Sequence, residues 1–212
     1  MTKQEQTVVL LHGIWMKSIV MQPLARQLRQ AGYKTRCYSY PALFRTPAEN
    51  ARVFSDYIND IDTDRLHFVA HSLGGIVLMH YFDQFQPAVD GRVVMLGSPL
   101  AGSENAHKIN ELMFSSLMLG RSVEEGLLGD VPEWHGDREL GMIAGSKSMG
   151  VGNLLGRSKE TSDGAVLLSE TWIDGISDHI TLPVSHSGML ISARVAEQVI
   201  HFLEKGHFLL QI

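Results

Sequence analysis

Short uninterrupted apolar runs alternate along this chain with longer stretches whose apolar positions recur at helical spacing. Val8–Leu11 is such a run, closed by His12-Gly13, and reads as a strand buried on both faces. Val20, Met21, Leu24, Ala25, Leu28 and Ala31 follow at helical intervals, with Gly32 as the stop. Thr35–Tyr40 is strand-like and ends at Pro41. Thr46-Pro47-Ala48-Glu49 has the form of a capping box with proline in the first turn, which predicts a helix to about Asp60. Leu66–His71 is the next buried strand, Leu73–Phe85 the next helix and Arg92–Gly97 the next strand. Leu140–Gly145 and Ile180–Val184 complete the strands, and a last helix spans about Ser192–Lys205 with Val195, Val199, Phe202 and Leu203 on one face. Alternation of this kind predicts an α/β fold, a mostly parallel sheet with helices on both faces. No repeat or linker divides the 212 residues, so one domain is expected.

Composition narrows the function classes. Hydrophobic residues are 44% and charged residues 19%, which gives a folded core rather than a disordered chain. Asp and Glu number 23 against 18 Lys and Arg, with no basic run, so nucleic acid is not expected as a partner. The lone cysteine, Cys37, leaves neither a disulfide framework nor a Cys-rich metal site. Leu66–Phe82, the most apolar stretch, is interrupted by His67, His71, Ser72, Gly74, Gly75 and His80 and is no transmembrane segment. Residues 1–6 lack the pattern of a signal peptide, and a cytoplasmic location is expected.

The sharpest local feature is Ala70-His71-Ser72-Leu73-Gly74-Gly75, where a buried strand hands over to a helix. A serine on a tight strand–turn–helix elbow holds its hydroxyl above the sheet, and small residues two positions either side, here Ala70 and Gly74, let the turn close. The plainer reading of Ser72 is a turn residue or helix cap. As a nucleophile it needs a base, an orienting acid and amide donors for an oxyanion. Asp163 stands beside Gly164 in a loop after the fifth strand, and His186 directly follows the last strand, so both fall on the carboxyl edge of the sheet. Their plainer readings are an Asx turn and an exposed loop histidine. Asp130 and Asp137 precede their strand, His179 begins one, His201 lies within the final helix and His207 beyond it. His71 is expected to turn its side chain away from the Ser72 hydroxyl. The amide of Leu73 at the helix start and that of Ile14 in the His12-Gly13-Ile14-Trp15 loop are the expected oxyanion donors. Trp15 and Met16 either wall a pocket or cover the loop.

These pieces together resemble the α/β-hydrolase superfamily, in its small bacterial lipase and esterase branch. The matching stretches are Leu11-His12-Gly13-Ile14, the Ser72 elbow, Ser162-Asp163-Gly164-Ala165-Val166 and the segment around His186. Ala70, where glycine is usual, also occurs in small lipases of that branch. Leu96–Ser103 is similar to a further stretch, in which histidine commonly stands at the position of Leu100. The resemblance implies a carboxylic-ester hydrolase acting on a small-molecule ester or lipid through an acyl-enzyme on Ser72, without metal or organic cofactor. An acyltransferase or thioesterase would use the same triad, and a non-catalytic binding module would keep only the scaffold. Residues 98–139 leave room for a small cap or lid. There Ile109, Leu112, Met113, Leu117 and Met118 form either a core-facing stripe or an acyl pocket. Trp134-His135-Gly136-Asp137 reads as an exposed turn rather than a metal site.

Overall fold

The structure is a computed structural model, describing residues 5–104, 106–107, 119–124, 126–135, 138–148 and 160–210. Six strands form one sheet: β1 (Gln6–Leu11), β2 (Lys34–Tyr38), β3 (Arg65–His71), β4 (Val93–Leu96), β5 (Leu140–Gly145) and β6 (Asp178–Leu182). Their order is β2-β1-β3-β4-β5-β6, and every neighbouring pair is parallel. All carboxyl ends therefore share one edge, and the order reverses at β1, between β2 and β3. Such a reversal opens a crevice at the carboxyl edge, because successive crossovers leave in opposite directions.

Among the described residues the complete α-helices are α1 (Gln22–Gln30), α2 (Pro47–Asn59), α3 (Leu73–Gln84) and α4 (Ala193–Lys205). Side chains alternate along each strand. Val9, Leu11, Phe68, Ala70, Val93, Met95, Leu140 and Met142 pack with α2 and α3. Val8, Leu10, Val69, Val94, Leu96 and Ile143 pack with α1 and α4. The capping box is present: the Glu49 amide donates to the Thr46 hydroxyl at 3.1 Å, and the Thr46 amide to the Glu49 carboxylate at 3.0 Å. Ser192 caps α4 through the Val195 amide.

The two edge strands lie earlier in the chain than their apolar patterns predict. β2 ends at Tyr38 rather than Tyr40 because Tyr40 leaves the sheet to stack on His12, with ring centres 4.4 Å apart. β6 runs Asp178–Leu182 rather than Ile180–Val184, so His179 lies within it. Pro183 has no amide to continue the ladder, and β6 is half-exposed, so its pattern marks its limits poorly. Within the expected cap region, Met113 and Leu117 lie outside the described residues. Gly120–Val123 is a 3-10 turn held against the loop before α2 by the Arg121 amide on Leu43 O and by Arg121 on both carboxylate oxygens of Glu49.

Candidate active site

Ser72 follows β3 directly and caps α3 with φ 55° and ψ −123°, a conformation that non-glycine residues rarely adopt. The elbow is held from both sides. The Ser72 amide donates to Leu96 O of β4 at 2.9 Å, and Gly75 N donates to Ser72 O. A methyl group on Gly74 would lie 2.8 Å from His12 O and 3.0 Å from Leu11 O, so only glycine lets α3 start this close to β1. Leu73 is the first residue of α3, where an amide has no carbonyl one turn earlier to receive it. Opposite it, Gly13 brings the loop after β1 against the elbow: a side chain there would come within 3.0 Å of Ser72 Cβ. Ile14 follows, its side chain packed on the α2/α3 side of the core.

The loop carrying Gly13 is fixed by His12, which is fully buried. Its Nδ1 donates to Gly13 O at 2.8 Å, and its Nε2 accepts the Tyr40 amide at 3.3 Å. Tyr40 returns a hydrogen bond from its hydroxyl to His12 O at 2.6 Å. Burial lowers the His12 pKa, in keeping with a neutral ring that donates on one side and accepts on the other.

Asp163 and His186 meet over the ends of β4 and β5. His186 Nδ1 lies 2.7 Å from Asp163 Oδ2, and the carboxylate is buried. Oδ1 of the same carboxylate accepts the amides of Ala165 at 2.9 Å and Val166 at 2.8 Å. Asp163 thus makes an Asx-type turn with one oxygen and orients an imidazole with the other. The backbones are tied as well, since His186 N donates to Asp163 O at 2.9 Å. Two glycines at strand ends make room for the pair. A methyl on Gly97, whose φ is +55°, would stand 2.9 Å from Asp163 Oδ2 and 3.1 Å from His186 Nδ1; one on Gly145 would stand 2.6 Å from Asp163 Cβ. Gly97 follows Leu96, which pairs with His71 across the β3–β4 ladder. The acid–histidine pair therefore sits beside the elbow.

His71 is expected to turn away from the Ser72 hydroxyl, but its position does more than that. Like Val69 two residues earlier, it faces the α1/α4 side, and there its ring meets His186 at 4.5 Å between centres. Its Nε2 donates to His186 O at 3.1 Å. Burial first, and the nearby His186 second, push its pKa well below the usual histidine value. The contact was readable only from strand parity once the order of the strands was known.

Among the other candidates, Trp15 is half-exposed with φ 58°, while Met16 packs on the α1/α4 cluster. Asp178 accepts the Phe208 amide at 2.7 Å, and the His201 and His207 rings pack on each other. His179 stacks under Trp172. Trp134 packs edge-on to Phe82, and His135 is exposed. Among the described residues, no three His, Cys, Asp or Glu side chains converge as a metal site would require. No described helix is long and apolar enough to cross a membrane.

An elbow serine, an apposed glycine loop and a buried acid–histidine pair at the carboxyl edge of a parallel sheet define a class. The chain belongs to the alpha/beta hydrolase family, whose model matches residues 8–210. Among solved structures it is similar to the mature lipase BlEst2 of Bacillus licheniformis, with TM-score 0.70, 18% identity, and coverage of 96% of this chain and 92% of that one. It also resembles the metagenomic carboxyl esterase MGS0156, with TM-score 0.65 and 15% identity over 88% of this chain and 65% of that one. A pyrethroid hydrolase from Sphingobium faniae JZ-2 matches with TM-score 0.61 and 15% identity over 94% and 98%. No curated protein matches by sequence.

Proposed function

We propose that this protein hydrolyses carboxylic esters through an acyl-enzyme on Ser72. The observation that carries the reading is the 2.7 Å contact between His186 and the buried Asp163, set beside a serine held in a strained elbow. Ser72 attacks the ester carbonyl while His186 Nε2 takes its proton. Asp163, accepting from Nδ1, keeps that proton on Nδ1 and stabilises the imidazolium. The amides of Leu73 and Ile14 receive the oxyanion, and one such donor is worth about 10²–10³ in rate. His186 then protonates the departing alcohol. Water attacks the acyl-enzyme with the same histidine as base, the acid leaves, and Ser72 regains its proton. No step calls for a cofactor.

The resemblance to a lipase, a carboxyl esterase and a pyrethroid hydrolase is consistent with an ester substrate. The test is labelling by a fluorophosphonate together with turnover of p-nitrophenyl esters. Both are expected of the parent chain and of neither Ser72→Ala nor His186→Ala. Folded parent protein that neither labels nor turns over these esters would overturn the proposal.

A further inference from the structure

Among the described residues seven large hydrophobic side chains are exposed, and four of them lie on connections from the carboxyl end of a strand to the α-helix that follows it. These are Trp15 at 51%, Ile19 at 69%, Phe44 at 78% and Ile191 at 70%. Ile19 and Ile191 stand just ahead of α1 and α4, which pack together on one face of the sheet. Trp15 shares the connection of Ile19, and Phe44 lies on the connection after the neighbouring strand β2. Single exposed apolar residues are ordinary on any protein surface, but their concentration on the edge that carries the candidate site is not.

Charge is polarised on the same axis. The connections 12–21, 39–46, 97–103, 146–148 and 183–192 carry exposed Lys17, Arg45 and Lys147 and contain no Asp or Glu. The described acids farther along are Glu49 and Glu124, both paired with Arg121; Glu160, Asp163 and Glu170, which accept backbone amides; and exposed Glu104, Asp130 and Glu133. At the opposite edge, the connections entering the strands carry Asp60, Asp62, Asp64, Asp90 and Asp174 against two cations, Arg92, paired with Glu139, and Arg138, held on the carbonyls of Leu66 and Val89. A chain of net charge −5 thus shows cations and exposed apolar tips together on its site edge.

We propose that this edge docks on an anionic lipid–water interface. Ile19, Phe44 and Ile191 enter the headgroup layer, and Lys17, Arg45 and Lys147 face the lipid phosphates. The proposal rests on the ester-hydrolase reading and deepens it: the substrate is an ester presented by such a surface. Insertion of apolar tips and attraction of nearby cations add, each cation being worth roughly fivefold in partitioning. A second copy of the chain is the poorer occupant, because a two-fold contact of this edge would set Lys17, Arg45 and Lys147 near their own counterparts.

The test uses the full chain carrying Ser72→Ala, so that nothing is turned over during binding. Vesicles of phosphatidylcholine alone are compared with an equal mixture of phosphatidylcholine and phosphatidylglycerol, by flotation at low and high salt. The expected result is partitioning at least about tenfold stronger onto the mixed vesicles, weakened by salt. Joint Ile19→Ser, Phe44→Ser and Ile191→Ser should lower it about tenfold more. On the chain with Ser72 intact, the same triple change should leave turnover of a dissolved short-chain ester unaltered and reduce that of a vesicle-borne ester. Equal partitioning onto both vesicles, or no effect of the triple change, overturns the proposal. So does a dimer in sedimentation velocity that the triple change abolishes, since that assigns the patch to a second copy. Vesicle binding without turnover of any dissolved ester would instead defeat the ester-hydrolase reading and leave the docking surface standing.

Discussion

The Nε2–H of His71 donates to the backbone carbonyl of His186 at 3.1 Å, so the residue just before the candidate nucleophile holds the loop of the candidate base. Removing that donor in His71→Leu takes away the hydrogen bond on the His186 carbonyl and frees the loop to shift. A displacement of about 1 Å can cost roughly 10²-fold in rate. His71→Leu is therefore expected to lower kcat about 10–100-fold with KM for a small ester little changed. His71→Gln, which keeps an N–H of similar reach, should recover much of the loss. Stopped-time assays of both variants, with thermal melts to confirm folding, decide it; equal defects in the two would mean that packing rather than the hydrogen bond matters.

The two amides on Asp163 Oδ1 determine what Asp163→Asn would do. An asparagine keeps its carbonyl oxygen toward the Ala165 and Val166 amides, because only an acceptor satisfies them. Its NH₂ then faces His186 Nδ1, which must give up its proton and become an acceptor. The proton moves to Nε2, where a base is needed. Turnover should fall by about 10³–10⁴ with the melting temperature within a few degrees of the parent. A variant with near-normal kcat would remove Asp163 from the mechanism.

Gly97 has a positive φ and lies against both members of the acid–histidine pair. Gly97→Ala is expected to displace the pair and to cost roughly 1–3 kcal/mol of stability through backbone strain and crowding. Activity should drop by more than tenfold. Urea unfolding and p-nitrophenyl ester turnover measure the two effects separately; a stable, fully active variant would show that the strand end has slack.

Burial lowers the pKa of His12, His67, His71 and His179, that of His67 to about 3. The unfolded chain takes up these protons near pH 6.5, while the folded chain resists them. Below about pH 6.5 the unfolded state thus binds more protons, and stability falls as the pH drops toward the folded values. Each histidine contributes a slope of at most about 1.4 kcal/mol per pH unit. Glu170, whose carboxyl is raised by burial, acts in the opposite direction as one group against four. Melting temperatures measured from neutral to mildly acidic pH should fall steadily, and a flat profile would contradict the buried, neutral histidines.

The central strands were legible because both of their faces are covered. Val8–Leu11, Leu66–His71 and Leu140–Gly145 are mainly apolar, with only His67 and His71 set among them, and lie where those runs place them, allowing for one or two extra residues at the starts of β1 and β3. The edges were less legible, since β2 and β6 are half-exposed and a ring stack or a proline sets their ends. Ser72, Asp163 and His186 are candidates in the sequence because each follows a strand on the loop side. What the pattern could not supply is contact across the sheet: His71 against His186, or Gly97 beneath Asp163. Those depend on β3 and β4 being neighbours, a pairing between residues more than twenty positions apart that no local periodicity encodes.

Asp163 also bears on how this chain would decay. Two of its hydrogen bonds fold its own loop, so it is kept by selection for stability even where selection for chemistry has lapsed. Ser72, held at a strained angle, offers the reverse: its replacement by glycine relieves strain. A descendant drifting toward a purely binding role is expected to lose the serine first and the aspartate last. A retained acid in such a lineage would be a vestige of architecture, and no sign of surviving activity.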